Sequence, residues 1–158
     1  MKKKISLDFF FNSNRWFAKS VKIKTASKKT LKIMSNYFKD DKEYNINIIL
    51  THKTEVTKLN KKYKKKQMDT DVLTFVNTGK LNKLKKTLFC DLFFSIDTIE
   101  KFIIKNKIDF YEHFNHLLVH SLLHINGYKH NNDKNFEIMK HEEIEILKKI
   151  GIKNPYFD

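Results

Sequence analysis

Three histidines in the last third of the chain have the types and the spacing of a metal site. His120 and His124 are four residues apart in a run that is predicted to be helical, so both imidazoles project from one helix face with Cβ atoms roughly 6 Å apart. Gly127 is a natural end for that helix, because glycine adopts the left-handed backbone conformation at little cost. The chain can reverse there and bring His130 beside the other two imidazoles.

This set of ligands indicates a particular chemistry. Three protein ligands that leave a fourth position for water are typical of a catalytic zinc, whereas structural zinc sites are usually closed by four ligands. We therefore predict one Zn²⁺ per chain, held by His120, His124 and His130, although imidazole also suits nickel and copper.

Two other histidines are weaker candidates. His116 continues the same helical stripe, but ligands at 116, 120 and 124 would span about 12 Å along the axis, too far to share one ion. It is predicted to pack against the ligands or support them. His141 is alone on the last predicted helix and is expected to be structural.

The order of the predicted elements indicates how this site is positioned. Strand, helix, strand, helix, two strands and then helices argue for an α+β fold, in which a small mixed sheet is covered by helices. Asp109 is expected to open the ligand helix, Thr54 to cap an earlier one and Ser95 or Asp97 to cap a third. The predicted strands are 3–12, 44–51, 72–77 and 88–95, and the predicted helices are 27–38, 54–63, 96–105, 109–125 and 133–150; residues 13–26 have no clear pattern.

Two aspartates are candidates for chemical roles. Asp71 precedes one predicted strand and Asp91 lies within another, where each could face a cleft or serve as a structural acid. The acids of the last helix, Glu142, Glu143 and Glu145, are expected to form a solvated face.

Composition limits the class of protein. At 158 residues and 41% hydrophobic content, the chain is expected to form one domain, residues 1–158, with a single core. The formal charge of +14 fits a polyanion partner such as RNA. A Lys-rich, Gly- and Pro-poor composition is also typical of proteins encoded by AT-biased genomes, so the charge alone does not establish an RNA partner.

Composition also bears on location. The single cysteine, Cys90, excludes an internal disulfide and suits a reducing compartment. No apolar run approaches the length of a membrane span, and Asp8 interrupts the short apolar start. A cytoplasmic protein without membrane contact is expected; the oligomeric state is left open.

Four segments of the chain carry recognisable motifs: LNKKYKKKQMDTDVLTF (59–75), LFCDLFFS (88–95), HSLLHINGYKH (120–130) and KKIGIKNPY (148–156). In this order they resemble LNxxYRxxxxxTDVLSF, LLGDIVIS, HGxLHLxGYDH and LGYxxPY, the motifs of the YbeY family of zinc-dependent endoribonucleases. The resemblance implies about four strands, a zincin-like metal cleft between the sheet and the ligand helix, and action on single-stranded RNA in small-subunit rRNA maturation, with the ribosomal small subunit or its proteins as partners.

The chain departs from the family pattern at four positions. Ser121 and Cys90 replace glycines, and Lys129 replaces an aspartate. Lys64 stands where the family has an arginine important for activity, so the resemblance implies that Lys64 is catalytic. Asp91, on a strand expected along the cleft, is the second catalytic candidate. Lys64, Lys65 and Lys66 are the predicted nucleic-acid-binding residues of a lysine run that otherwise suits a solvated loop.

Three functions follow from these observations. The first is a zinc endoribonuclease, in which the metal activates water or polarises a phosphodiester oxygen. The second is a metallopeptidase; Ser121 counts against it, because HExxH peptidases have a glutamate base at that position. The third is a non-catalytic RNA-binding ribosome-assembly factor with a structural metal.

Overall fold

A four-stranded mixed sheet forms the base of the fold. In a computed structural model of the protein, residues 4–63, 71–80 and 86–156 are described. The strand order is β1-β2-β4-β3, with β2 parallel to both β1 and β4, and β3 antiparallel to β4 at one edge. The predicted α+β class with a small mixed sheet is confirmed. The strands are β1 (Lys4–Phe11), β2 (Lys42–Thr51), β3 (Val72–Lys80) and β4 (Lys86–Ser95).

Helices fill the connections and follow the last strand. The helix predicted at 27–38 begins earlier than expected, and a 3-10 turn at Ser35–Tyr37 follows it. Its pattern was obscured because Ser27 and Thr30 share the buried face with Ile23. The helices are α1 (Asn14–Phe17), α2 (Ser20–Ile33), α3 (Lys53–Tyr63), α4 (Ile96–Asn106), α5 (Phe110–Ile125) and α6 (Asp133–Ile150).

The core lies between one face of the sheet and the helices α2, α5 and α6. Alternate residues of β4 face this core, and Phe94 packs against Phe114 of α5 with ring centroids 4.9 Å apart. Trp16 also contacts Phe114, and its indole N–H donates to the carbonyl of Thr51 at 2.6 Å. These contacts fix α5 on the sheet, and α5 carries two of the three predicted metal ligands.

Helix caps explain where α3, α4 and α5 begin. Asp109 accepts hydrogen bonds from the first backbone N–H groups of α5, as predicted, and Ser95 caps α4. Asp97 does not cap α4 but accepts the backbone N–H of Lys53 at 2.8 Å. The predicted cap at Thr54 is therefore wrong, because Thr54 lies inside α3. The N–H of its first residue is instead satisfied by the carboxylate of Asp97, which is 44 residues away in sequence.

None of the helices in the described ranges combines the length and the apolar character that a bilayer crossing requires.

Candidate metal centre

The three predicted ligand histidines come together at the end of α5. His120 and His124 project from its last two turns, and Gly127 follows with a positive φ of 93° that reverses the chain. His130 then lies beside both of them, with ring centroids 5.3 Å from His120 and 4.7 Å from His124. One ligand atom from each of the three residues lies within 4.8 Å of the others, which is close enough to share one ion.

Hydrogen bonds orient two of these imidazoles. The Nδ1 atom of His120 lies 2.9 Å from a carboxylate oxygen of Glu143, and Nδ1 of His124 lies 2.9 Å from the carbonyl of Tyr128. Both partners only accept hydrogen bonds, so each Nδ1 carries a proton. In the neutral form of each imidazole, Nε2 then keeps a free lone pair. Such support of the outer nitrogen is the usual arrangement behind a metal-ligating histidine.

The inner nitrogens show that the residues fit a cation. The two Nε2 atoms of His120 and His124 are 3.0 Å apart. With both protons on Nδ1, neither Nε2 can donate to the other, and two lone pairs face each other at close range. A cation between them satisfies both. The set of three imidazoles therefore suits Zn²⁺ and other divalent transition metals.

His124 is neutral over the physiological pH range. Burial, followed by the neighbouring imidazole of His120, lowers the pKa of His124 to about 4. Its nitrogen is therefore available to a metal without first losing a proton at neutral pH.

Glu143 of α6 is a buried acid that links several side chains of the site. It is 1% exposed; its Oε1 accepts from His120 at 2.9 Å and from His116 at 3.2 Å, and its Oε2 accepts from the hydroxyl of Tyr156 at 2.6 Å. Burial alone would raise the pKa of Glu143, but the hydrogen bonds from the two imidazoles and the hydroxyl outweigh it and lower that pKa to about 2. The carboxylate is therefore charged, and it holds His120 in place.

The buried position of Glu143 differs from the prediction for the acids of α6, and it accounts for the role of His116. Glu143 was predicted to lie on a solvated face, which is wrong, because Met139, Ile146 and Leu147 form a buried stripe of α6 with Glu143 at its middle. An acid in the middle of an apolar stripe was the signal that could have identified it. His116 does not reach the cluster as a ligand but supports Glu143, in agreement with its predicted role.

The tyrosine of the C-terminal motif completes this network. Burial and then the adjacent carboxylate of Glu143 raise the pKa of Tyr156, so its hydroxyl keeps the proton that it donates. Sequence reasoning gave Tyr156 no role, since its partner is thirteen residues away on another element.

The other predicted site residues lie elsewhere. Asp71 pairs with the buried His113 at 2.9 Å. Asp91 accepts a hydrogen bond from Asn47 at 2.9 Å, and strand alternation places it on the sheet face opposite Phe94 and α5. The structure thus does not bring Asp91 to the histidines, and its predicted catalytic role gains no support from its position. The predictions for Lys64, Lys65 and Lys66 lie outside the described residues.

Two departures from the family pattern have clear structural settings. Ser121 is fully buried, and its hydroxyl has no hydrogen-bond partner within the described ranges. It therefore cannot act as a base on a substrate. Lys129 is exposed immediately before His130, where it adds positive charge beside the centre.

Acidification is expected to destabilise the metal-free protein through two groups of this site. The folded-state pKa of His124, about 4, lies below its ordinary value of 6.5. Between these two pH values the unfolded chain binds a proton at His124 that the folded chain does not bind, so the free energy of unfolding falls as pH is lowered. For Glu143 the stabilisation is present above pH 4.5 and is lost as pH falls toward 2. Urea unfolding after chelator treatment should give a free energy of unfolding that falls from about pH 6.5 downward, with a smaller fall in His124→Gln. Equal stability at pH 6.5 and 4 would contradict this prediction.

Comparisons with known proteins bear on the family of the chain. Residues 10–151 match the sequence profile of the family Endoribonuclease YbeY. The chain is 38% identical to the endoribonuclease YbeY of Ehrlichia chaffeensis over 112 residues, 70% of each chain. It is 40% identical to that of Ehrlichia ruminantium over 111 residues, 70% of this chain and 69% of the relative. The solution structure of TM1509 from Thermotoga maritima has the same fold, with a TM-score of 0.56 and 19% identity over 98% of this chain and 99% of that one. The chain belongs to the YbeY endoribonuclease family.

Proposed function

We propose that the protein is a zinc-dependent endoribonuclease that cleaves single-stranded RNA and acts in the maturation and quality control of small-subunit rRNA. Family membership supports the reaction class. The observation that carries the metal dependence is the convergence of three imidazoles, two of them with their outer nitrogens occupied and their inner nitrogens free.

The residues of the centre have separable tasks in this reaction. A divalent metal held by His120, His124 and His130 would supply Lewis acidity for polarising a phosphodiester oxygen or activating water. Glu143 keeps the proton of His120 on Nδ1, and the carbonyl of Tyr128 does the same for His124. His130 is exposed, so the side of the centre that it forms is open to a large substrate.

The nucleophile and the surrounding charges follow from the same arrangement. Because Ser121 is buried, no base follows the first ligand as in HExxH peptidases. RNA cleavage does not require a glutamate at this position, since the nucleophile can be a metal-activated water or the RNA's own 2′-hydroxyl. Lys64 is proposed to hold a phosphate near the reacting atoms, with Lys65 and Lys66 binding the flanking backbone. We assign Asp91 a structural role through its bond to Asn47.

The cellular setting is also part of the proposal. The formal charge of +14 suits a ribonucleoprotein partner, and we propose that the protein acts in the cytoplasm on rRNA in the ribosomal small subunit.

Metal analysis combined with a cleavage assay tests this function. Purified protein should contain about one equivalent of zinc and cleave small-subunit rRNA at a rate that follows metal occupancy when the metal is removed and restored. Undiminished cleavage by metal-stripped protein would contradict the proposal. Cleavage of an unstructured peptide instead of RNA would favour the peptidase function, and RNA binding without cleavage would favour the assembly factor.

A further inference from the structure

Helix α2 has a basic surface whose charges are not balanced by neighbouring acids. Residues 9–39 contain eight Lys and Arg residues and no Asp or Glu. Of these eight, Arg15 is paired with Asp97 and Glu100. Five exposed lysines lie on α2, and in the described part of the chain none of them forms an ion pair. They are Lys22, Lys24, Lys28, Lys29 and Lys32.

Three of these lysines form one row. Lys24, Lys28 and Lys32 follow one another at four-residue steps, so they extend about 12 Å along the helix. The row faces solvent, because the other side of α2 is buried in the core. Like charges at this spacing repel one another and destabilise the helix. A bound polyanion would remove this repulsion.

An exposed aromatic side chain lies beside the row. The ammonium group of Lys24 is 5.6 Å from the ring of Phe11, which contacts Phe17 edge-on with centroids 6.3 Å apart. Phe17 is 68% exposed. Lysines near an exposed ring are a combination that suits single-stranded nucleic acid, through phosphate contacts and base stacking.

The far end of α2 lies close to the metal centre. Tyr37, just after the helix, contacts Tyr128 with ring centroids 6.1 Å apart. The carbonyl of Tyr128 accepts the hydrogen bond that orients His124. A chain bound along α2 is therefore held near the centre without occupying it.

We propose that α2 is a docking surface for RNA, with phosphates on Lys24, Lys28 and Lys32 and a base stacked on Phe17. This inference rests on the proposed function and adds to it a second contact with the substrate. RNA fits better than an anionic membrane, because a membrane-bound helix buries its apolar face in lipid and that face of α2 is already buried in the core.

Removing the three charges tests the proposal. The variant Lys24→Gln, Lys28→Gln, Lys32→Gln should bind a single-stranded RNA of about thirty nucleotides between about 10- and 100-fold more weakly near 0.1 M salt. The slope of log affinity against log salt should become less steep by about 2, at roughly 0.7 for each lost phosphate contact. Phe17→Ala should weaken binding without changing the slope. Fluorescence anisotropy over a salt series measures both quantities.

A matched variant and a short substrate provide controls. The control variant is Lys148→Gln, Lys149→Gln, Lys153→Gln. It removes the same charge from exposed positions at the end of α6 and just after it, where Glu145 is near in sequence, and it should change RNA affinity little. Cleavage of a saturating trinucleotide, too short to occupy the centre and the row of about 12 Å together, should keep its wild-type rate in both triple variants.

Each other outcome overturns the inference. If both triple variants lose affinity equally, net charge and not α2 is responsible. If the α2 variant binds RNA as wild type does, or loses only its binding to phosphatidylglycerol vesicles, the surface does not dock RNA, although RNA cleavage and the proposed function would stand. If wild-type protein neither binds nor cleaves RNA, the proposed function fails as well.

Discussion

Replacing His120 with alanine is expected to reduce RNA cleavage by on the order of 10³-fold or more, while leaving RNA binding close to that of wild type. His120 supplies one of three nitrogens that converge within 4.8 Å, and two ligands cannot retain a metal at ordinary concentrations. Without the metal, its Lewis acidity is lost from the reaction. Cleavage of a labelled single-stranded RNA, measured with metal content and binding affinity, checks the three expectations together.

A second histidine variant separates the loss of a ligand from the loss of any imidazole. His141 is exposed on α6, outside the cluster of three ligands, so His141→Ala should retain its metal and its cleavage rate. Wild-type cleavage by His120→Ala at matched protein purity would show that the histidine cluster is not the reaction centre.

Replacing Glu143 with glutamine is expected to weaken metal binding by about 10- to 100-fold, the usual cost of losing an outer partner of a ligand histidine. The side chain keeps its size but loses the charge that holds the Nδ1 proton of His120 and accepts from His116. His120 is then free to rotate or change tautomer, so its Nε2 is no longer held toward the ion. Competition with a chromophoric chelator measures the metal affinity directly.

A matched variant and excess metal distinguish weakened metal binding from unfolding of the protein. Glu145→Gln on the same helix changes an exposed acid and should bind metal as wild type does. Because Glu143→Gln retains the ligands, excess metal should restore much of its cleavage rate, in contrast to His120→Ala. If Glu143→Gln and wild type had equal metal affinity, Glu143 would be a structural acid only.

The sequence was sufficient for elements whose pattern is local. The alternation of apolar and polar residues in 44–51 predicted β2, because a strand in contact with a core shows its period directly. The start of α2 was missed because the helix buries Ser27 and Thr30, and Thr30 is satisfied by Asn115 of α5, a partner 85 residues away. No local pattern contains that hydrogen bond.

The candidate site divides in the same way. The convergence of His120, His124 and His130 was predicted from helical pitch and one turn glycine, both of which are properties of a short segment. The roles of Glu143 and Tyr156 depend on how α6 and the C-terminal residues dock on α5, and that docking is decided by packing over the whole core.

The centre lies almost wholly within one helical hairpin. Two ligands come from α5, the third from the segment leading into α6, and the carboxylate that steadies them comes from α6 itself. An ion bound there would stabilise the packing of α6 against α5. By thermodynamic linkage, each tenfold rise in free metal above its dissociation constant would add about 1.4 kcal/mol to the work of separating the two helices. If the protein binds such an ion, the concentration of free metal would thus set how firmly α6 stays packed on α5, and loss of the ion would loosen this hairpin.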